Sequence, residues 1–478
     1  MKFTPDTRLF VASRTFADGR TLPVLDPWSG EVLAEVTMAD ADRAAEATAA
    51  ARDAFRDLRD LPAYKRRDTL RAVARSIADG RDDFAGLIAR EAGKPIAFAR
   101  AEVDRAIHTF ELGAEEATRV GGEVIPLDGT ASGACHVGQW IRVPAGPVFA
   151  ISPFNFPLNL AAHKVAPALA CGCSVVLKPP PQAPLTSLAL AAIVRNVCPV
   201  ENALQVIPCE NRVAEACVTG DGFATLSFTG SARVGWHLKS LAGRKRVLLE
   251  LGGNAAVIVH ADANLAVAAE KVTLAAFGYA GQVCVKVQRL YVDRTIAADF
   301  IDRIVKRAAG LNVGAPLDPK TVVGPMIDEA NALRVERWIG EAVAAGASVL
   351  VGGVRDGRRV SPTVIAVDGS GAGLKVVDEE VFGPVLTVHV YDDWNAALAM
   401  ADASRYGLQA GIFTDSQSRI HAAFKTLHVG ALIVNDVPTF RVDSMPYGGV
   451  RDSGIGREGV RFAIEEMTER KLLVIHQP

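Results

Sequence analysis

The chain has 478 residues, which is enough for two or three domains, and its formal net charge of -2 gives it no general attraction to nucleic acid or to an anionic membrane. Hydrophobic residues make up 49% and charged residues 22%, the balance of a globular protein rather than a disordered or fibrous one. The chain has seven cysteines, an ordinary and odd number that argues against a disulfide scaffold. It has no apolar run long enough for a membrane-spanning helix. The N-terminus has no cleavable apolar segment, and together these features favour a cytoplasmic location.

The first 120 residues read as a strand pair followed by helices. The segment DPWSGEVLAEV predicts two short strands separated by Pro27 and Gly30. Asp40 is a suitable N-cap for a helix that places small apolar residues on one face. A second amphipathic helix follows, and the helical pattern continues to about Val120.

Two later segments predict an extended arm. Residues 121–142 read as two strands around a Gly/Ser turn, and ERKLLVIHQ near the C-terminus reads as an exposed strand. An unpaired terminal strand is able to pair with another chain.

From residue 147 to residue 251, short apolar strands alternate with helices. The strands are PVFAI, SVVLK, LQVI, ATLSF and RVLLEL, and the helix AAHKVAPALA is expected to be interrupted at Pro167. This alternation predicts right-handed β-α-β units on a parallel sheet. Because a parallel sheet binds ligands beyond the carboxyl ends of its strands, the polar residues that follow the strands are candidates for a site. A second α/β region is expected from about 250 to 445, with a long helix at 330–345.

Two motifs are set aside. GIGREG at 454–459 has the spacing of a dinucleotide fingerprint, but it lacks the preceding strand and the later acidic residue, so it predicts a turn and the start of a helix. Cys171 and Cys173 have no second Cys/His pair at zinc spacing and are expected to be buried, inert thiols. No metal site is expected.

Several motifs follow predicted strands or loops in a fixed order: SPFNFP at 152–157, LKPPP at 177–181, SFTGS at 227–231, ELGG at 250–253, GQVC at 281–284, EEVFGP at 379–384 and PYGG at 446–449. Together they resemble the aldehyde dehydrogenase superfamily over essentially the whole chain. The resemblance implies an α/β fold with a Rossmann-like cofactor domain, an α/β catalytic domain and a β oligomerisation arm. The implied bounds are 1–120 and 143–249 for the cofactor domain, 250–445 for the catalytic domain, and 121–142 with 459–478 for the arm. It also implies a homodimer or homotetramer.

The resemblance assigns catalysis to three residues. A thiolate is a strong nucleophile, and Cys284 in GQVC would add to the aldehyde carbon. Asn155 and the backbone N–H of Cys284 would stabilise the resulting oxyanion. Glu250 would activate water to hydrolyse the thioester, with Gly252 and Gly253 giving it room, and its apolar strand is expected to raise its pKa. The alternatives are a buried structural thiol, a turn asparagine and an ordinary strand-end charge.

The resemblance also implies NAD or NADP as the cofactor. Lys178 would hold the adenosine ribose, and Gly230 and Ser231 would present a helix N-terminus to the pyrophosphate. The remaining cofactor positions are Ser152, Phe154, Pro181, Glu380 and Phe382. Many NAD-selective relatives carry Glu where this chain has Pro181, so NADP is permitted here. Arg212 is a candidate for the 2′-phosphate and is equally a candidate for a solvated helix arginine.

On the substrate side, Arg105, His163 and Arg441 occupy tunnel positions that are usually apolar or aromatic in relatives. Three basic residues favour an aldehyde that carries a phosphate, phosphonate or carboxylate. The resemblance is nearest to lactaldehyde, phosphonoacetaldehyde and non-phosphorylating glyceraldehyde-3-phosphate dehydrogenases. The alternative is that the arginines pair with carboxylates such as Asp104 or Asp443.

The function predicted is therefore oxidation of an aldehyde, as a small-molecule substrate, to the carboxylic acid. A coenzyme A-acylating enzyme is one alternative, although such relatives generally lack a Glu at position 250. A catalytically silent scaffold is a second alternative, because fold alone does not establish activity. A thiol esterase is a third alternative. Because the cofactor motifs are present, ester hydrolysis would be a side reaction at most.

Overall fold

The computed structural model describes residues 5–477 of the chain. The elements of the N-terminal half, in chain order, are β1 (Leu9–Val11), β2 (Arg14–Phe16), β3 (Thr21–Leu25), β4 (Val32–Thr37), α1 (Ala41–Asp60), α2 (Ala63–Asp79), α3 (Arg81–Ala92), α4 (Ile96–Ala117), β5 (Gly122–Pro126), β6 (His136–Pro144), β7 (Val148–Ile151), α5 (Asn159–Cys171), β8 (Val175–Lys178), α6 (Leu185–Val197), β9 (Leu204–Val206), α7 (Asn211–Thr219), β10 (Thr225–Thr229), α8 (Ala232–Leu241) and β11 (Arg246–Glu250).

The elements of the C-terminal half are β12 (Ala256–Val259), α9 (Leu265–Phe277), β13 (Arg289–Asp293), α10 (Ala297–Ala309), α11 (Glu329–Ala344), β14 (Ser348–Val351), β15 (Arg355–Asp356), β16 (Arg359–Val360), β17 (Thr363–Ala366), α12 (Lys375–Asp378), β18 (Val385–Tyr391), α13 (Trp394–Asp402), β19 (Tyr406–Gly407), β20 (Gln409–Phe413), α14 (Gln417–Thr426), β21 (Ala431–Val434), β22 (Val450–Arg451), β23 (Gly454–Ile455), α15 (Val460–Glu466) and β24 (Thr468–His476).

The first sheet has the order β23-β11-β10-β7-β8-β9. Its strands are parallel except β23, which pairs antiparallel with β11. Strands β7 and β8 are buried along their whole length because helices cover both faces, and this explains their continuous apolar sequences. The predicted alternation of strands and helices in this region is confirmed.

The second sheet has the order β14-β17-β18-β13-β12-β20-β21, and its strands are parallel except β14. Separate apolar cores pack against it, formed on one side largely by α9, α10 and α11 and on the other by α13 and α14. This mixed α/β architecture with two parallel sheets confirms the predicted fold class.

A third sheet, β24-β6-β5, forms the predicted arm. The C-terminal strand β24 pairs antiparallel with β6 from Thr468 to His476. The strands on either side of the Gly/Ser turn, β5 and β6, also pair antiparallel as the sequence predicted.

Two local predictions have clear outcomes. The Asp40 side chain accepts a hydrogen bond from the Arg43 N–H at 2.9 Å, so the predicted N-cap is confirmed. The predicted interruption at Pro167 is wrong, because α5 continues through it from Asn159 to Cys171. Proline removes only one helical hydrogen bond, and burial of every residue of α5 stabilises the helix on both sides of it. Among residues 5–477, no helix is long and apolar enough to cross a membrane.

Candidate active site

The carboxyl ends of four strands of the first sheet lie at one edge. Ile151 at the end of β7 is in register with Lys178 at the end of β8, and Thr229 of β10 is in register with Glu250 of β11. The N–H of Ser152 donates to the Lys178 carbonyl at 3.2 Å, and the N–H of Gly230 donates to the Glu250 carbonyl at 3.1 Å. The motifs that follow these strands therefore meet in space, as the sequence predicted.

The SPFNFP segment is held by a buried ion pair that the sequence reading missed. Glu102 of α4 accepts hydrogen bonds from the N–H groups of Leu158 and Asn159 at 2.9 and 3.2 Å. Its other oxygen binds the Lys94 ammonium at 2.5 Å, and that ammonium lies 3.4 Å from the centre of the Phe156 ring. These contacts fix the chain on the C-terminal side of Asn155.

Asn155 is buried, and its side-chain Nδ2 donates to the Gln282 carbonyl at 3.0 Å. The asparagine amide is therefore bonded to the loop that carries Cys284, two residues before the cysteine. The amide's second N–H is available in addition, since an asparagine side chain has two donors.

The loop before Cys284 has an unusual backbone. Tyr279, Ala280 and Gly281 all have positive φ, at 54°, 53° and 65°. At Gly281 a Cβ atom would lie 2.3 Å from the Gly383 carbonyl oxygen, so only glycine fits there. The side chain of Gln282 then anchors the loop, since it donates to the Pro325 carbonyl and accepts from the Ile327 N–H. Such strained backbone often occurs at functional sites.

Cys284 is partly exposed, and its Sγ lies 3.0 Å from the hydroxyl of Tyr447. Burial of the surrounding site raises the pKa of the thiol to about 11, while the Tyr447 hydrogen bond and the charge of Arg441 act in the opposite direction. All seven cysteines are free, and Cys171 and Cys173 are buried as predicted.

Glu250 is buried, and neither of its carboxyl oxygens has a hydrogen-bond partner among residues 5–477. Burial raises its pKa well above the usual value, and the neighbouring Glu458 acts in the same direction. The glycines act differently from the expectation. A Cβ at Gly252 would lie 2.0 Å from Glu380 Oε2, whereas a Cβ at Gly448 would lie 2.9 Å from Glu250 Oε1, so it is Gly448 that leaves room for Glu250.

Two buried charged residues next to Glu250 were missed by the sequence reading. The Lys164 ammonium donates to Ser227 and Thr229 at 3.1 and 2.8 Å and lies 3.4 Å from Glu458. Glu458 belongs to the GIGREG segment, and Lys164 directly follows the predicted site residue His163. A lysine inside an apolar helix is a signal that could have identified the first of the pair, because buried lysines are rarely unpaired.

Lys178, which the sequence predicts to hold the adenosine ribose, lines a cavity of about 370 Å³ together with Phe228, Arg233, His237 and Glu215 among others. Burial lowers the pKa of Lys178. Ser152 has a buried hydroxyl without a hydrogen-bond partner among the described residues, which is a further polar atom free for a ligand. Ser231 is the N-cap of α8 and makes no side-chain capping bond, so the first N–H groups of the helix are open to an anion.

The predicted nicotinamide residues contact the segments that carry Glu250 and Asn155. Glu380 accepts from the Gly253 N–H at 3.2 Å, and burial raises the pKa of its carboxyl to about 7. Phe154 and Phe382 contact edge to face with their ring centres 5.9 Å apart. The donor set and the cavity therefore fit a dinucleotide.

Two further cofactor candidates lie at the surface. Pro181 is exposed just after β8, so the chain has no carboxylate side chain at this position. Arg212 donates to Glu210 at 2.8 Å and is 84% exposed. It is not among the residues that line the cavity, whereas Arg233 is.

The three basic substrate candidates meet around two buried carboxylates. Arg105 binds Asp443 at 2.6 Å, and His163 binds the same carboxylate at 2.8 Å. Arg441 binds Glu458 at 3.0 Å, and its guanidinium stacks 3.7 Å from the centre of the Tyr447 ring. The residues converge, but each already has an acidic partner. Asp104 pairs with Arg81 instead of with a site arginine.

Comparison with known proteins agrees with this geometry. The aldehyde dehydrogenase family profile matches residues 15–473. The chain is 39% identical over 469 residues to the 3-sulfolactaldehyde dehydrogenase of Priestia aryabhattai, with 98% of each chain covered. It is 39% identical to aldehyde dehydrogenase 21 of Physcomitrella patens, solved with its reaction product succinate, with a TM-score of 0.96 and 99% of each chain covered.

A third relative is the glyceraldehyde-3-phosphate dehydrogenase GapN of Methanocaldococcus jannaschii, solved with NADP. It is 37% identical, with a TM-score of 0.92, and the match covers 96% of this chain and 100% of that one. The chain therefore belongs to the aldehyde dehydrogenase family, and it is an oxidoreductase that acts on aldehydes with NAD or NADP as its cofactor.

Proposed function

We propose that the chain oxidises an aldehyde carrying an anionic group to the carboxylic acid, through a thiohemiacetal and a thioester on Cys284. The proposal rests on three groups that lie together in the site: the partly exposed thiol of Cys284, the buried amide of Asn155 and the buried carboxyl of Glu250. The Glu250 carboxyl has no hydrogen-bond partner among the described residues. Each has the chemistry that one stage of the oxidation requires.

In the first stage the Cys284 thiolate forms a bond to the carbonyl carbon, and the carbonyl oxygen becomes an oxyanion. Asn155 Nδ2 and the Cys284 N–H donate hydrogen bonds to this oxygen, and removal of one such donor typically costs about 10²–10³ in rate. Glu380 and Phe382 would hold the nicotinamide end of NAD or NADP, which when bound would supply the acceptor for the hydride that leaves the carbon.

In the second stage the thioester is hydrolysed. Glu250 accepts a proton from a water molecule whose oxygen attacks the acyl carbon, and the carbon–sulfur bond breaks to release the acid. The raised pKa of Glu250 makes it a stronger base once it is ionised. Two charged groups lie next to Glu250: the Lys164 ammonium favours its ionised form, and the Glu458 carboxylate disfavours it.

Three observations support an anionic substrate. The site carries Arg105, Arg441 and the Lys164 ammonium against the carboxylates of Asp443 and Glu458. Arg441 Nε has no hydrogen-bond partner among residues 5–477. Three of the relatives are named for 3-sulfolactaldehyde or glyceraldehyde 3-phosphate or were solved with succinate, and each of these molecules carries an anionic group besides the reacting carbon. Other relatives are lactaldehyde dehydrogenases, and lactaldehyde is neutral.

The test is reduction of NAD and of NADP by the purified protein with a panel of neutral, carboxylate, sulfonate, phosphonate and phosphate aldehydes. We expect Arg105→Leu to reduce kcat/KM for the best anionic aldehyde by about tenfold or more, because a charge-assisted contact is lost, and to change it little for a neutral aldehyde. Arg81→Leu, which removes a surface arginine paired with Asp104, is the matched control. An unchanged ratio of anionic to neutral kcat/KM in Arg105→Leu would refute the anionic assignment.

The same assay, run with and without coenzyme A, distinguishes a free acid from an acyl-coenzyme A product, and Glu250 favours the acid.

For the cofactor, we infer that both dinucleotides are accepted, since Pro181 offers no carboxylate to repel a 2′-phosphate and Lys178 and Arg233 line the adenosine cavity. A kcat/KM for NADP below one-hundredth of that for NAD would contradict this inference.

We also propose that the arm sheet assembles the chain into a homodimer or homotetramer. The outer edge of β24 has no partner strand among residues 5–477, because the sheet ends there. Leu472, Leu473, Val474 and Ile475 on this strand are each about half exposed. An exposed apolar edge strand of this length is a template for pairing with a second copy.

A further inference from the structure

Tyr447 and Arg441 form a stacked pair against the sulfur of Cys284. The Tyr447 side chain is buried, and its hydroxyl lies 3.0 Å from Cys284 Sγ. The guanidinium of Arg441 lies 3.7 Å from the centre of the Tyr447 ring. Arg441 is held in this position by Glu458, which binds its Nη2 at 3.0 Å.

A tyrosine hydroxyl can either donate to or accept from a thiol, and the surroundings select donation. Burial raises the pKa of Tyr447 well above its usual value, and Cys284 and Glu250 act in the same direction. The phenol therefore keeps its proton over the whole working range. A cation on the ring face draws electron density from the ring, which strengthens the hydroxyl as a donor.

The thiol needs such help because the other groups that face it disfavour a thiolate. Burial of the site and the carboxyls of Glu380 and Glu250 all raise the Cys284 pKa, and Tyr447 and Arg441 are the groups that lower it. Arg441 itself faces Glu458, Tyr447 and Asp443, which all favour its charged form. The arginine thus remains a cation beside the tyrosine.

We propose that Tyr447 is a catalytic residue that donates a hydrogen bond to the Cys284 thiolate, and that Arg441 is a positioning residue that polarises the Tyr447 hydroxyl from the ring face. The proposal rests on the assignment of Cys284 as the nucleophile. In it, the thiol proton leaves to solvent, and the phenol proton stays on Tyr447 while it bonds to the sulfur. The same bond holds the sulfur as the leaving group when the thioester is hydrolysed.

The test is the rate at which iodoacetamide alkylates Cys284 in the full-length protein as a function of pH, followed by mass spectrometry of the Cys284 peptide. A hydrogen bond to a charged group stabilises it enough to change an equilibrium by about tenfold or more. We therefore expect Tyr447→Phe to lower the alkylation rate near neutral pH by about tenfold, to shift the profile to higher pH, and to reach the wild-type rate at the alkaline limit. Tyr64→Phe, an exposed tyrosine on α2, is the matched control.

Arg441→Lys is the second variant, and it covers the case in which Tyr447→Phe fails to fold. A lysine keeps the charge but loses the planar stacking, so we expect a shift in the same direction that is smaller than the shift for Arg441→Met. The alkylation profile of Cys135, exposed in the arm, should be the same in every variant.

An alkylation profile of Tyr447→Phe that superimposes on the wild-type profile would overturn the proposal, even if kcat fell. Because alkylation requires neither aldehyde nor cofactor, this outcome is separate from failure of the proposed oxidation. That failure would appear as an absence of cofactor reduction despite a normally reactive thiol.

Discussion

At the scale of single residues, the site combines groups whose ionisation is shifted by burial. Burial raises the pKa of Cys284 to about 11 and the pKa of Glu250 well above its usual value. In the proposed mechanism both groups act in their deprotonated forms. The deprotonated fraction of each rises about tenfold per pH unit below its pKa. The chemistry of the site therefore favours alkaline conditions.

The first prediction concerns this pH dependence. We expect kcat/KM, measured with a saturating cofactor, to rise steadily from about pH 6 to about pH 9, because burial raises the pKa of Cys284 to about 11 and the thiolate fraction therefore grows across this interval. A flat profile over this interval would show that bound cofactor or substrate already holds both groups ionised. An acid optimum would contradict the assigned roles.

The second prediction concerns Asp443, whose pKa is held below its usual range by hydrogen bonds from His163 and Arg105. A lowered carboxyl pKa contributes stability above the unfolded-state value, near pH 4, and loses it as the pH falls further. Asp443→Asn leaves two basic side chains without their partner, and we expect a loss on the order of 3–5 kcal/mol at neutral pH.

Thermal unfolding checks this prediction. The difference in Tm between wild type and Asp443→Asn should be largest above about pH 4 and should shrink in more acidic buffer. A difference that grows as the pH falls would have the wrong sign. Asp452→Asn, a partly exposed aspartate that lies 3.7 Å from Arg405, is the control.

At the scale of elements, most of the site could be predicted because its motifs follow strands. Glu250 and Lys178 end strands, and Asn155 lies in the turn after a third, so the topology of a parallel sheet brings them to one edge. Glu458 and Lys164 could not be found in this way. Glu458 comes from a segment more than 200 residues after Glu250, and its contact depends on how α15 packs against α5.

The acidic partners of the basic residues were also only partly predictable from the sequence. The sequence reading considered Asp443 as a partner of the arginines, and the structure confirms it for Arg105. It also considered Asp104, which is adjacent to Arg105 in sequence but points to Arg81, because neighbouring residues on a helix face different directions. The partner of Arg441 was unforeseen, since Glu458 is close only in space.

The third prediction belongs to the junction of α4 and α5. Glu102→Gln weakens the acceptor of the Leu158 and Asn159 N–H groups and leaves the buried Lys94 ammonium without an anionic partner. We expect a lower Tm and a kcat reduced by about tenfold or more, because Asn155 is carried by the same loop and small displacements of oxyanion donors are costly. The KM for the cofactor should change little.

Glu115→Gln on the exposed face of the same helix is the control. Wild-type kcat in Glu102→Gln, at a temperature where it is folded, would show that the ion pair stabilises the fold without positioning the amide.

At the scale of the whole molecule, Glu250 ends a strand of the first sheet, Cys284 lies just before a strand of the second, and the arm is a third sheet. The arm was predictable because β5, β6 and β24 have the turn residues and apolar content of strands. The order in which the three strands pair was harder to predict, because β24 lies more than 300 residues after β6. The half-exposed apolar side chains of β24 give the arm a surface that a monomer would leave in water.

The fourth prediction is that Leu473→Lys combined with Ile475→Lys lowers the oligomeric state, measured by size-exclusion chromatography with light scattering. Charge on an edge strand opposes pairing between copies. Val349→Lys with Val354→Lys, which places the same charges on exposed positions in β14 and just after it, is the control. A wild-type protein that is monomeric at micromolar concentration would contradict the proposed assembly.

The central claim is that Cys284 carries the acyl group that Glu250 then hydrolyses, and Glu250→Gln tests it most directly. Mixed with cofactor and the best aldehyde of the panel, this variant should reduce about one equivalent of cofactor and then stop, and mass spectrometry should find the acyl group on the Cys284 peptide. An acyl group on another residue, or full steady-state turnover by the variant, would contradict the account.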